Sequence, residues 1–261
     1  MRQSREVVGD KGRVSAPTLR SQHGRSWLFS VRWMHASSTI TLSLAEQIAA
    51  TIGDRIITDV YKPGTRVIEQ DVADEFQVSR GPVRDAFHML EREGLATLHR
   101  NRGLTVTQLG AEEVRNLFEI RGALFAVVAQ HLATRSPPHF IQQFDQLIDE
   151  LETFLDDEDG DRYAETVFRL SLASAREAQN PRLAEMIASL SLQTLRYSKL
   201  GLRSRERRRE SIALWRATRD AIRAGDVPLA TKLAVERIQR SRDEALQAIE
   251  AATPPMRDCG T

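Results

Sequence analysis

The sequence has a single cysteine, Cys259, in a polar tail after Thr253-Pro254-Pro255, which excludes an internal disulfide and leaves no partner thiolate for a metal site. A reducing, cytoplasmic setting fits that usage. Long apolar runs are absent as well: none approaches the ~20 residues that a membrane span requires, so a soluble protein with no membrane partner is expected. Neither sign of charge prevails, since 37 Lys and Arg face 36 Asp and Glu. Whole-chain charge therefore points to neither nucleic acid nor an acidic membrane surface, and any basic face must arise by local segregation. Strand signals end near Gly110, and no internal repeat is evident.

What is present is enough apolar material, 41% of 261 residues, for two domain cores. Residues 1–40 are rich in Arg and Ser and carry no hydrophobic period, so they read as a tail. Two accounts of it stay open. It is either a basic arm that adds non-specific affinity for phosphate, or the product of a start placed too early, since Met34 sits just before the first periodic segment. Residues 251–261 read as a second tail.

Between the tails, Leu44, Ile48, Ile52, Ile56 and Val60 recur every four residues and predict a helix with one buried stripe. "YKPGTRV" stops it, and Val67-Ile68 reads as a short extended piece. A second helix over 69–76 buries Val72, Ala73 and Phe76; a third, in "FQVSRGPVRDAFHMLEREGL", turns Val83, Phe87 and Leu90 inward and ends at Gly94. "LATLH" and "LTVTQL", separated by Arg100-Asn101-Arg102-Gly103, then alternate as a β-hairpin does. Three helices and a hairpin make a winged helix-turn-helix, assigned to residues 41–109.

Residues 110–250 read as six amphipathic helices, at about 111–134, 137–156, 161–178, 181–199, 205–224 and 227–250. Pro137-Pro138, Asp159-Gly160, Asn180-Pro181, Gly201 and Gly225-Asp226 punctuate them. Connections this short force neighbours to run in opposite directions, which predicts an antiparallel six-helix bundle and a mainly α protein overall. The acid-rich "DDEDGD" lacks the spacing of a calcium loop, and "RSRERRRE", 203–210, reads as a solvated helix face.

The recognition helix of a helix-turn-helix lies in the major groove with its N-terminal residues at the bases. Ser79 is a natural N-cap, Pro82 suits a first turn, and Arg80 and Arg84, four apart, share the outward face. Arginine there can bond guanine O6 and N7 in bidentate fashion, and Arg100 and Arg102 recur in the hairpin tip. Because residues 42–110 hold ten carboxylates against eight Lys and Arg, the positive charge must be segregated to one face.

The stretch "PGTRVIEQDVADEFQVSRGPVRDAFHMLEREGLATLHRNRGLTV" resembles the DNA-binding domain of the GntR family of bacterial transcription regulators. The remainder, including "LFEIRGAL", "NPRL" and "AIRAGD", resembles the FCD ligand-binding domain of the FadR-like branch of that family. The resemblance implies DNA contacts at Ser79, Arg80, Gly81, Arg84, Arg102 and Gly103, with Gln70 where an arginine often contacts phosphate. It also implies a homodimer on a palindromic operator in double-stranded DNA.

Many FCD domains hold a divalent metal through one aspartate and three histidines. This sequence has Glu165 and Arg169 in "ETVFR", Trp215 and Arg237 at those places, and a guanidinium is no metal ligand. The six histidines offer no alternative cluster, so no metal and no cofactor are expected. Arg169 and Arg237, joined by Arg121 from an otherwise apolar helix, are instead expected to hold a small anionic effector, with Glu165 and Trp215 beside them. The bland alternatives pair Arg169 with Glu165, turn Arg237 to water and make Trp215 core packing. Two other functions stay open: a helical-bundle enzyme with an accessory winged domain, although no nucleophile–base pair or metal constellation is evident, and a dimerisation scaffold that binds no ligand.

Overall fold

The computed structural model describes residues 42–99, 102–158 and 160–252. The expectations for both tails, for Arg100 and Asn101 at the wing tip, and for Cys259 lie outside the described residues.

The first helix, α1 (Leu44–Ile57), opens on a reciprocal cap: the Ser43 amide donates to Glu46 Oε2 at 2.7 Å while the Glu46 amide donates to Ser43 Oγ. It ends earlier than its apolar period suggests. Asp59 takes a left-handed φ of 63°, which throws Val60 off the buried stripe and into solvent. Strand β1 (Arg66–Val67) follows, then α2 (Glu69–Phe76), α3 (Arg80–Arg92), β2 (Ala96–His99) and β3 (Gly103–Val106). The strands form an antiparallel sheet in the order β1-β3-β2, with Leu104 opposite both Val67 and Leu98. Ile48, Ile52, Val83, Phe87, Leu90 and Leu104 are fully buried between the sheet and the three helices. Gly94, just past the end of α3, has φ +72°, the left-handed turn that a helix-terminating glycine supplies.

Six helices follow: α4 (Ala111–Arg135), α5 (Pro138–Thr153), α6 (Asp161–Glu177), α7 (Pro181–Gly201), α8 (Arg205–Ala224) and α9 (Val227–Ala252). Their limits fall at the punctuation, because proline is tolerated in the first turns of α5 and α7. Gly225, at φ +70°, closes α8. α4 packs most extensively on α9, and Phe118, Phe125, Leu132, Phe140, Phe144 and Trp215 fill the centre. Among the described residues, no helix is long and apolar enough to cross a membrane.

One surface assignment is corrected. Arg207 and Arg208 of "RSRERRRE" are buried. Arg208 donates to the carbonyls of Leu155, Asp157, Leu202 and Arg203 at 2.8–3.0 Å, satisfying backbone oxygens past the end of α5 and before the start of α8.

Candidate nucleic-acid interface and a buried arginine pair

The front of α3 presents polar and cationic groups to solvent. Ser79 holds the N-cap position, but its hydroxyl makes no capping bond, so it and the first amides of α3 are unspent. Ser79, Arg80, Gly81 and Arg84 are all exposed. Across the turn, Arg66 Nε donates to the Arg102 carbonyl at 2.6 Å, tying β1 to the wing. Between α3 and the wing lies a groove of about 520 Å³ lined by Arg66, Glu69, Arg80, Arg84, His99 and Arg102 among others. Four arginines, Arg66, Arg80, Arg84 and Arg102, share this groove with two carboxylates, Glu69 and Glu91.

The two glycines assigned to DNA contact differ in kind. A Cβ on Gly81 would meet nothing, so the fold itself has no use for glycine there. Gly103 is buried at φ +79°, and a Cβ would strike the Val67 carbonyl; its glycine serves the β1–β3 pairing and sets the position of Arg102.

Sequence reasoning missed Glu69. Its carboxylate accepts from Arg84 Nε at 3.3 Å and Nη2 at 3.1 Å, and lies 3.6 Å from Arg80 Nη2. The bond raises the Arg84 pKa further above its already high ordinary value. Both arginines are therefore exposed, at 60% and 59% of the side chain, and paired at once, while Glu69 is only 14% exposed. Gln70 directs its amide to Asp74 at 2.7 Å.

In the bundle, Arg121 on α4 and Arg237 on α9 are each only 6% exposed. Neither guanidinium has a carboxylate partner among the described residues. Arg121 Nη1 donates to Thr194 Oγ1 at 2.7 Å. Aromatic faces supply the rest of the surroundings: Arg237 stacks 3.4 Å from the Trp215 ring centre and 5.3 Å from that of Phe125, and Arg121 lies 5.2 Å from Phe118. Arg121 Nε, Arg237 Nε, Trp215 Nε1 and Ser191 Oγ are buried with no hydrogen-bond partner among the described residues. Burial lowers the Arg121 guanidinium to about 10, and burial together with the charge of Arg121 lowers Arg237 to about 9. Both stay cationic at neutral pH.

Arg169 does not join them. It sits on the outward strip of α6 and donates to Glu150 Oε1 on α5 at 2.6 Å, so the expected Arg169–Arg237 clamp is replaced by Arg121–Arg237. Its partner is not Glu165, which is half-buried on α6. The metal site of other FCD domains does not fit these residues either. Of the three histidine positions, Arg169 faces out and the other two are occupied by a guanidinium stacked on an indole, neither of which is a ligand. Among the described residues, no three His, Cys, Asp or Glu side chains gather to hold a metal ion.

One turn of α7 joins the arginine pair to the winged half. Thr194 accepts from Arg121, Arg196 pairs with Asp59 beyond α1 at 2.8 Å, and the Tyr197 hydroxyl accepts from the Leu109 amide at 3.1 Å. Gln193 lies against Gly94 at the end of α3.

A winged helix-turn-helix with exposed arginines at the front of its third helix, carried on an all-helical bundle, has the architecture of a DNA-binding regulator. Comparison with known proteins gives the family. Residues 44–106 match the bacterial regulatory proteins of the gntR family and residues 116–240 match the FCD domain, so the chain belongs to the FCD-bearing branch of the GntR family. It is 35% identical over 94 residues to the HTH-type transcriptional repressor RspR of Escherichia coli K12, covering 36% of this chain and 41% of that protein. It is 24% identical over 140 residues to the gluconate operon transcriptional repressor of Bacillus licheniformis, covering 54% and 55%. The chain spans 30–55% of the length of the curated relatives it matches first. In fold it is similar to E. coli McbR/YncC, with a TM-score of 0.68 at 21% identity over 80% of this chain and 99% of that one. The matched families and relatives are regulators and not enzymes, which removes the enzyme alternative.

Proposed function

We propose that the chain is a transcription regulator that acts as a homodimer on a palindromic duplex operator and is tuned by a small anion held in its bundle. Ser79, Arg80, Gly81 and Arg84 on α3, with Arg102 on the wing, form the DNA-reading surface. Two such surfaces related by a two-fold axis read two half-sites and gain affinity that one small domain lacks. This reading assigns effector binding to Arg121 and Arg237, the two arginines buried together in the bundle.

The observation that carries the sensor role is the pair of buried guanidiniums without a carboxylate partner among the described residues. Two like charges taken out of water cost several kcal/mol each, on the order of magnitude for buried ions, and a cation–π contact returns about 2 kcal/mol when desolvated. The deficit favours an anion, of carboxylate or phosphate chemistry, bonded through the free N–H groups of Arg121, Arg237 and Trp215. An anion that claims Arg121 competes with Thr194, and the same turn of α7 holds Leu109 through Tyr197. Such a ligand changes operator affinity only as far as it prefers one arrangement of the winged halves.

Selection of bound sequences from random duplex DNA at two salt concentrations tests the DNA reading. A palindromic consensus is expected; binding with no sequence preference would remove the regulator assignment. For the sensor, a panel of mono-, di- and tricarboxylates and phosphate esters is scored by melting temperature, and at least one is expected to stabilise the parent but not Arg237→Met.

Gly81 supplies a further check. Because a Cβ there meets nothing within the protein and alanine is the better helix former by about 0.5–1 kcal/mol, Gly81→Ala is expected to hold or raise the melting temperature. It should nonetheless weaken operator binding several-fold by keeping the duplex backbone at a distance. Unchanged operator affinity would show that the front of α3 makes no close approach.

A further inference from the structure

The pairing of Glu69 with both reading arginines asks for a reason, because a carboxylate in a phosphate-binding groove opposes binding. Its geometry supplies one. Glu69 occupies the inner edge of Arg84, accepting from Nε and Nη2 at 3.3 and 3.1 Å. A guanidinium carries five N–H donors in a rigid fork, so this side-on bond leaves the end-on pair, one N–H each of Nη1 and Nη2, free. That end-on pair matches guanine O6 and N7. Glu69 is far less exposed than either arginine, 14% against 60% and 59%, so it acts as the fixed member of the trio.

Charge supplies a second reason. Arg80 and Arg84 alone would place two cations at the groove; Glu69, 3.6 Å from Arg80 and 3.1 Å from Arg84, cancels one. Attraction to phosphate is independent of sequence and grows with each uncompensated cation, by about 0.9 in the slope of log affinity against log salt. Cancelling one charge lowers affinity for every duplex, whereas holding the fork end-on helps only where a guanine stands.

Resting on the DNA-reading role proposed above, we propose that Glu69 is a specificity-determining residue: it orients Arg84 toward base edges and subtracts one phosphate-attracting charge from the groove. It touches no base itself and acts through Arg84 and Arg80. Its place in the first turn of α2 also complements the helix dipole, a purely structural role that the test must separate.

The test measures binding of the full chain to two duplexes of equal length, one carrying the selected consensus and one a scramble of it, across a salt series. Glu69→Gln is expected to bind the scramble more tightly with a salt slope steeper by about two, one for each protomer of the dimer, and the consensus-to-scramble ratio is expected to fall about tenfold. Glu69→Asp keeps the charge but shortens the reach, so its ratio falls while its salt slope stays that of the parent. Glu75→Gln is the control for stability alone: Glu75 accepts from Arg55 at 3.0 Å within the same domain, away from the groove. It should lower the melting temperature and leave the ratio unchanged. An unchanged ratio in Glu69→Gln, or an equal loss in Glu75→Gln, overturns the proposal while the parent's preference for the consensus upholds the DNA reading. A parent that prefers neither duplex overturns both.

Discussion

Arg84→Ala is expected to weaken binding to the selected operator by tenfold or more and to flatten the preference at one base pair in each half-site. A bidentate arginine–guanine contact is worth about 1–3 kcal/mol of discrimination, and a dimer loses two of them. Folding is expected to survive, because the Arg84 side chain is exposed, its one ion-pair partner is Glu69, and alanine suits a helix interior. The loss exceeds the removal of one contact, since Glu69 loses its hydrogen-bonded partner and faces phosphate with only Arg80, 3.6 Å away, to offset its charge. Arg84→Lys separates charge from geometry: it keeps the cation and therefore the salt slope, but loses the planar fork and with it the base preference. Binding measured for the parent and both variants against single-base operator variants decides the matter. Unchanged discrimination in Arg84→Ala would mean that α3 contacts backbone only.

How far these features could be read beforehand depended on whether a local rule or a neighbour set them. The ends of α5, α7 and α8 follow from Pro138, Pro181 and Gly225, whose backbone limits act without help from the rest of the chain. The burial of Arg121 and Arg237 was open to the helical period, since Phe118, Phe125 and Ala234 lie one turn away on the same stripes. Arg169 was misplaced because its grouping with Arg237 came from a family position and not from phase: α6 buries Tyr163, Thr166 and Leu170, which leaves Arg169 on the outward strip. Arg208 escaped because two of the four carbonyls it satisfies, those of Leu155 and Asp157, come from the segment past a helix end some fifty residues away. Glu69 escaped for the same reason, since only the docking of α2 against α3 brings a residue fifteen positions upstream to Arg84. Val60 failed in the other direction, as an apolar period cannot announce the left-handed residue before it.

Arg237→Met should make the free protein more stable and deaf to its effector. The parent buries Arg237 beside Arg121 with Nε unpartnered and no carboxylate among the described residues, so the folded state bears an uncompensated charge. Methionine follows the path of the arginine stem, fills irregular space and keeps contact with Trp215 and Phe125. By analogy with buried charges exchanged for apolar groups, the gain is on the order of 1–4 kcal/mol, or roughly 2–4 °C per kcal/mol for a chain of this size. The pH dependence has a definite sign. Because the folded-state value of Arg237 is lowered from 12.5 to about 9, the parent bears the full cost below about pH 9 and sheds it as the pH rises through that value. The stability gap between variant and parent is therefore widest at neutral pH and narrows above pH 9. Arg121→Met should behave alike, since Thr194 keeps its own bond to the Leu190 carbonyl at 2.8 Å and is not orphaned. Anion-induced stabilisation, present in the parent, should vanish in both variants while operator binding persists. A variant that melts lower than the parent would show that the aromatic box already compensates the charge, and the bundle would then be a scaffold with no need of an anion.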